Sequence, residues 1–319
     1  MREFVTLRAL SATGRIANIP SVLANIGLGS ALGLATASPV AQGQLASLGA
    51  SLALAGVSLY LAGNFLNDWA DRDWDAVHRP ERALPMAVFA PSFYLLLALG
   101  FGLLGLCVAA MVHGACLVVA LLIGGCIALY TAFHKRSAWS IIAMGLCRAL
   151  LPVLGFVGFA RFGDLLAMPW GIFTMALAAS AIGLFCHIGG LSMSARHESA
   201  DRPSGWSVWL SRVCYAAAAV WMFVASYQLL SLPLLFCIAG LLPYALWLGH
   251  CGTFSRRADR AGVSHLLAGI PFVDWMVLLP FSMTLGMGPE GGRLAAFCLL
   301  LPPLAVWAGR LLQRLASAT

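Results

Sequence analysis

Residues 64 to 85 read NFLNDWADRDWDAVHRPERALP, and four aspartates, Asp68, Asp71, Asp73 and Asp75, fall within eight positions directly after an almost wholly apolar run. On a helix turning by about 100° per residue, Asn64, Asn67, Asp68, Asp71 and Asp75 share an arc of roughly 100°, while Asp73 points elsewhere. Oxygen donors converging on one stripe suit a hard divalent cation, and Mg²⁺ is commonly held by one or two carboxylates while it grips substrate phosphates. Basic residues follow at once: Arg79 and Arg82, with Arg72 inside the cluster and Lys135 and Arg136 in the next loop on the same side. Carboxylates for a metal and cations for phosphate oxygens are the two halves of a diphosphate site. The competing assignment is a solvated loop of surface Asp–Arg pairs, each contributing about 0–1 kcal/mol. The one-face arrangement of five oxygen-bearing side chains argues against it.

The elements that must position this stripe are transmembrane helices. The chain has 319 residues, is 61% hydrophobic and only 10% charged, and its mean hydropathy is +0.89. Soluble domains carry roughly one quarter charged residues. Apolar runs long enough to cross about 30 Å of hydrocarbon recur along the whole sequence, with no polar block large enough to fold alone. This predicts an all-α, polytopic helical bundle forming a single integral membrane domain over residues 1–319. The runs and their punctuation place ten segments at about 16–36, 43–66, 92–112, 114–133, 138–160, 167–193, 206–228, 230–250, 264–286 and 293–311. The start, MREFVTLRALSATGR, has no short apolar core with a small-residue cleavage site, so it is not expected to be a removable signal. Nine cysteines, almost all in apolar runs and without a CxxC pair, are expected to be small buried hydrophobes.

Charge orients the bundle, because Lys and Arg accumulate in cytoplasmic loops. With the N-terminus inside, sixteen of the nineteen Lys and Arg residues fall on the inner side, Arg161 and Arg293 fall outside, and Arg148 lies within a span. The acidic stripe and its basic neighbours then face the cytoplasm. The formal net charge of +7 is accounted for by topology and requires no nucleic acid.

These residues carry a family resemblance. NDWADRDWD fits the N-D-x-x-D-x-x-x-D motif of the UbiA superfamily of membrane prenyltransferases through Asn67, Asp68, Asp71 and Asp75, and RPERALP resembles the R-P-x-R-x-L-P run that follows it there. RIANIPSVLANIGLGSALG and LYTAFHKRSAWS are similar to further family segments, while GLSMSAR and MGLCRALLPVLG look like a UbiA-like offshoot labelled EboC. The resemblance implies a UbiA-like bundle, of nine spans in the family against the ten counted here, with a central cavity open to the bilayer. It also implies an isoprenyl diphosphate bound under a cytoplasmic cap and transferred to a small lipophilic acceptor among the membrane lipids. By position, Asn67, Asp68, Asp71 and Asp75 would bind Mg²⁺, with Asp71 and Asp75 foremost, and Arg15, Asn18, Arg79, Arg82 and Lys135 would contact diphosphate. Phe65, Trp69 and Tyr130 are candidates either for shielding a carbocation or for anchoring at the bilayer interface.

One segment departs from the family. UbiA-type enzymes carry a second aspartate-rich motif at the sixth span, where this chain has FCHIGGLSMSARHESADRP, whose only acids are Glu198 and Asp201. Three outcomes stay open: Arg196 and Arg202 substitute for the second metal, Glu198 and Asp201 bind it in an altered geometry, or the chain binds or transports a prenyl intermediate without turning it over. His187 and His197 lie in the same segment and are expected to serve packing more than a hard metal. Two further charges sit deep in the bilayer, Arg148 in the fifth span and Asp274 in the ninth. They are expected to pair with each other or to line the cavity. Asn25, in the first span, is placed either to reach that cavity or to bond a neighbouring helix. Whether the acceptor is an aromatic ring, a sugar alcohol or the prenyl chain itself is left open by the sequence.

Overall fold

The computed structural model describes residues 9–36, 44–134, 137, 139–160, 171–198, 205–252, 260–285 and 289–314, and every regular element among them is helical. A 3-10 turn, Ile16–Asn18, leads into α1 (Ile19–Leu34), followed by α2 (Leu45–His78), α3 (Pro91–Val112), α4 (Gly114–Phe133) and α5 (Ser140–Phe159). The second half contains α6 (Ile172–Glu198), α7 (Gly205–Phe223) with a π turn to Leu229, α8 (Leu234–His250), α9 (Arg260–Ala268), α10 (Ile270–Ser282) and α11 (Pro289–Gln313). Nine helical segments among the described residues are long and apolar enough to cross a membrane. The eighth of the ten segments counted in the sequence, 230–250, is α8, apolar but only 17 residues long. The ninth is interrupted at Gly269, where α9 gives way to α10.

α1 is the most enclosed span, with 83% of its apolar window buried. It lies against α5, α2, α10 and α11. Glycines bring α1 and α5 together: a Cβ on Gly29 would fall on the Pro152 carbonyl, one on Gly33 on that of Phe156, and one on Gly155 on that of Ile26. Lipid offers no hydrophobic drive for helices to associate, so close backbone approach through small residues supplies the packing. This contact sets Arg148, one turn before Pro152, against the polar residues Ser21 and Asn25 of α1.

α2 has 34 residues, about 50 Å at 1.5 Å per residue, which exceeds a hydrocarbon core of about 30 Å. The acidic stripe therefore continues the same helix as the second span. Phe65 packs edge-on to Tyr94 at 5.5 Å and stacks on Phe101 at 6.0 Å, and Trp69 joins that cluster against α3. Fixing the aromatic face outward toward α3 turns the Asn/Asp stripe toward the bundle interior. The helix ends where Pro80 disfavours the α conformation for its predecessor, and Arg79 takes φ −141° and ψ 60°.

Candidate functional site

Asn64 and Asn67 of the stripe and Arg79 and Arg82 of the loop after it close one end of a cavity of about 390 Å³, a volume ordinary for a small-molecule pocket; the three carboxylates lie behind them and do not line it. Its polar end is lined by Arg15, Asn18, Asn64, Asn67, Arg79 and Arg82. Its walls are largely apolar, with Ile123, Ile127, Ile188, Leu191, Leu267 and Ile270 among them.

Within the stripe, Asn64, Asn67, Asp71 and Asp75 are buried, and Asp68 is nearly so. The Asp73 side chain is 86% exposed and, among the described residues, its ion pair is with Arg72 at 3.6 Å, as the helical spacing requires. Arg82 folds back over the stripe, its Nη1 donating to Asp75 Oδ2 at 2.7 Å and lying 3.6 Å from Asp68 Oδ1. Arg15 approaches from the other side, 3.6 Å from Asp68 Oδ1, and donates to Asn64 Oδ1 at 3.3 Å. Burial works against the Arg15 charge, but Asp68 and its neighbours more than offset this and hold the guanidinium above its ordinary value. The backbone of Arg15 is left-handed, with φ 45°. That conformation costs a non-glycine residue about 1–2 kcal/mol, and it is held by the Tyr60 hydroxyl donating to the Arg15 carbonyl at 3.1 Å and by Asn64 Nδ2 donating to the Gly14 carbonyl at 3.0 Å.

His134, at the end of α4, was not among the residues that the sequence singled out. Its Nε2 lies 3.0 Å from Asp71 Oδ2, while its Nδ1 faces the carbonyls of Tyr130 and Thr131 at 3.2 Å. Asn67 Nδ2 donates to the same Asp71 oxygen at 3.3 Å. Asp71 is thus fixed from two helices. The signal available in the sequence was the position of His134 in LYTAFHKR, one residue before Lys135.

The donor set fits a hard divalent cation. Asn67 Oδ1, Asp68 Oδ1 and Asp75 Oδ1 are buried oxygens without a hydrogen-bond donor among the described residues, and buried acceptors are ordinarily satisfied. Two carboxylates and an amide with oxygens to spare, with Asp71 beside them on the same helical face, match what Mg²⁺ takes from a protein. Among the described residues there is no cluster of three or more His, Cys, Asp or Glu side chains already gathered at metal-binding distance; the acidic stripe is spread along successive helical turns.

Several sequence expectations are revised. Arg72 turns away from the stripe: it donates to the Trp69 carbonyl at 2.9 Å and lies 4.9 Å over the Trp69 ring. Of the three candidate aromatics, Tyr130 lines the cavity, whereas Phe65 and Trp69 pack against α3; Tyr60 lines it as well. Arg148 and Asp274 do not pair directly. Asn25 stands between them, its Nδ2 donating to Asp274 Oδ2 at 2.8 Å while its Oδ1 accepts from Arg148 Nη1 at 3.1 Å. His187, by contrast, is buried as expected of a packing residue, its Nδ1 3.0 Å from the Tyr244 hydroxyl. Lys135 and Arg136 lie outside the described residues, as do Asp201, Arg202 and the side chains of Arg196, His197 and Glu198.

Comparison with known proteins gives this geometry a context. The family model for the UbiA prenyltransferase family matches residues 27–270. Digeranylgeranylglyceryl phosphate synthase of Methanothrix thermoacetophila is 29% identical over 127 residues, which cover 38% of this chain and 42% of the relative. The match thus spans about two fifths of that relative's length. Among solved structures, the apo form of a UbiA homologue from Aeropyrum pernix K1 superposes with a TM-score of 0.53 at 15% identity, covering 93% of this chain and 98% of that one. A structure of digeranylgeranylglyceryl phosphate synthase superposes with a TM-score of 0.51 at 12% identity, covering 96% and 98%. At these identities the superpositions establish a shared fold, and the match over residues 27–270 establishes the lineage: the chain belongs to the UbiA prenyltransferase family.

Proposed function

We propose that this protein transfers an isoprenyl group from its diphosphate to a small lipophilic acceptor within the membrane, with Mg²⁺ bound by Asn67, Asp68, Asp71 and Asp75. The observation that carries the reading is an acidic stripe with unsatisfied buried oxygens set directly behind Arg15 and Arg82, which with Asn67 and Arg79 line the polar end of a largely apolar cavity. The curated relative's name, digeranylgeranylglyceryl phosphate synthase, supports a prenyl donor.

In this reading Arg79 and Arg82 hold diphosphate oxygens at the polar end, Arg15 and Asn18 close the opposite side, and Lys135 adds a further cation. Bound Mg²⁺ would supply compensation for the charge that develops on diphosphate as the allylic C–O bond breaks. Arg79 is the arginine best placed for a new partner, since among the described residues its side chain makes no ion pair. Arg82 already bonds Asp75 and therefore ties the diphosphate end to the metal stripe. The apolar walls exclude water from the electrophilic carbon, and Tyr60 and Tyr130 bring two aromatic rings to the cavity lining. The concentration of Lys and Arg on the site's side of the bundle supports a cytoplasmic location for it.

The test is diphosphate release by purified protein in detergent, with C10 to C20 prenyl diphosphates, candidate acceptors and either Mg²⁺ or EDTA. Mg²⁺-dependent release with a prenylated or cyclised product supports the transferase. Tight Mg²⁺-dependent binding without release supports the second reading, a protein that binds or moves a prenyl intermediate. The lack of a second Asp-x-x-x-Asp motif in the sixth span is the specific observation that favours this alternative.

A further inference from the structure

The end of the cavity away from the diphosphate site is not apolar. Arg148 lines it, although only 9% of the residue is exposed. Its Nη1 donates to Ser21 Oγ at 3.0 Å and to Asn25 Oδ1 at 3.1 Å, and its guanidinium carbon sits 5.7 Å from the centre of the Tyr60 ring. A guanidinium has five N–H donors. Among the described residues its hydrogen bonds are the two from Nη1, so the Nε and Nη2 donors remain for a guest. Tyr60 precedes Asn67 on α2 by seven residues, about 10 Å of helix rise, which places this polar floor deeper than the metal stripe.

An isoprenyl tail resting on that floor would strand buried donors, which costs their full desolvation. The apolar wall of Ile123, Ile127, Ile188 and Leu191 receives a tail without that cost. The fully buried Asp274 is linked to Arg148 through Asn25; with its carboxylate ionised, the two contribute one charge of each sign and the floor is already balanced. An anionic group bound there would be a third buried charge with no counterion, and such charges are strongly disfavoured.

We infer that the Arg148–Asn25–Asp274 cluster is the acceptor subsite, and that it selects an uncharged lipophilic molecule (an alcohol, phenol or carbonyl compound) whose oxygen accepts from the Nε and Nη2 donors of Arg148. The inference rests on the transferase reading above and names the acceptor class for it.

The experiment uses the full chain in detergent, loaded with Mg²⁺ and the unreactive geranyl thiolodiphosphate, and titrates it with size-matched neutral and anionic probes. These are 4-hydroxyacetophenone against 4-hydroxybenzoate, and dodecanol against dodecanoate. At least one neutral probe is expected to bind on the order of tenfold or more tightly than its anionic partner. Arg148→Gln should weaken that binding by a factor on the order of ten to one hundred, the usual effect of losing hydrogen bonds from a charged donor. Because the single variant leaves Asp274 without its counter-charge, the double variant Arg148→Met with Asp274→Leu is measured beside it; it should stay folded and lose the preference. Tighter binding of the anions, equal binding in Arg148→Gln, or no binding by any probe would overturn the subsite. Binding of the thiolodiphosphate, followed in the same samples, and turnover of geranyl diphosphate report separately on the transferase reading. Its failure there with acceptor discrimination intact would sink that reading alone.

Discussion

Asp274→Ala and Asp274→Asn separate two accounts of what holds the bundle's centre. Asp274 is 0% exposed and accepts from Asn25 at 2.8 Å, while Asn25 in turn accepts from Arg148. If the bridge counts only as hydrogen bonding, its worth in a bilayer protein averages about 0.6 kcal/mol per bond, and Asp274→Asn, which keeps an acceptor, should cost no more than that. If Asp274 serves as the counter-charge to Arg148, removing it strands a buried guanidinium, and the cost rises to about 3–5 kcal/mol. The separation through Asn25 weakens the Coulomb attraction but does not return either charge to water. Both Asp274 variants are therefore expected near the larger figure, and Arg148→Met combined with Asp274→Leu is expected to recover most of the loss, since an apolar replacement of both charges is often near neutral. Unfolding of wild type, both single variants and the double variant in mixed detergent–SDS micelles gives the comparison. A loss below 1 kcal/mol in Asp274→Asn, or a double variant no more stable than the singles, would refute the charge argument.

Asp71→Asn should abolish Mg²⁺-dependent binding of a prenyl diphosphate while the chain stays folded, since the amide keeps an oxygen for Asn67 and His134, as followed by binding and melting of one preparation. Arg79→Ala removes a cavity-lining cation that has no ion pair among the described residues; prenyl diphosphate affinity should fall by roughly tenfold or more, with stability within about 0.5 kcal/mol of wild type. His134→Ala releases Asp71 from its second support, and a Mg²⁺ titration of diphosphate binding should show an affinity loss of about 10- to 100-fold, the range for removing a group that orients a metal ligand. Gly29→Ala places a methyl group on the Pro152 carbonyl; overpacking of this kind costs about 1–3 kcal/mol or more, so a lowered melting temperature is expected and an unchanged one would count against the α1–α5 contact.

The stripe was legible because helix periodicity is a local property: once residues 45–78 are helical, Asn64, Asn67, Asp68, Asp71 and Asp75 must share a face and Asp73 must leave it. The apolar segments were legible for the same reason, since a membrane requires each crossing to satisfy its own backbone, although among the described residues only nine are long enough to cross. Their ends were less so. The sequence placed the second span's end near residue 66, where apolarity stops, but the backbone carries the helix on to His78.

What only the tertiary structure decided is which side chains from distant segments meet. No pattern in the sequence brings His134 to Asp71 across 63 residues, or seats Asn25 between Arg148 and Asp274, which are 123 and 249 residues away from it. Depth alone placed those two charges at similar levels and left two alternatives, a direct pair or a place in the cavity wall. The glycine-mediated contact between α1 and α5 instead put an amide between them and left part of the guanidinium facing the cavity. The orientation of the aromatics was settled in the same way, because Phe65 and Trp69 could be assigned to the α3 side only once Tyr94 and Phe101 were in place. Composition and spacing therefore determined the membrane class, the all-helical architecture and which oxygen-bearing side chains of α2 share one face. The opposite end of the cavity depends on contacts between residues far apart in the chain, whose partners are set by interhelical packing and leave no local periodicity to read.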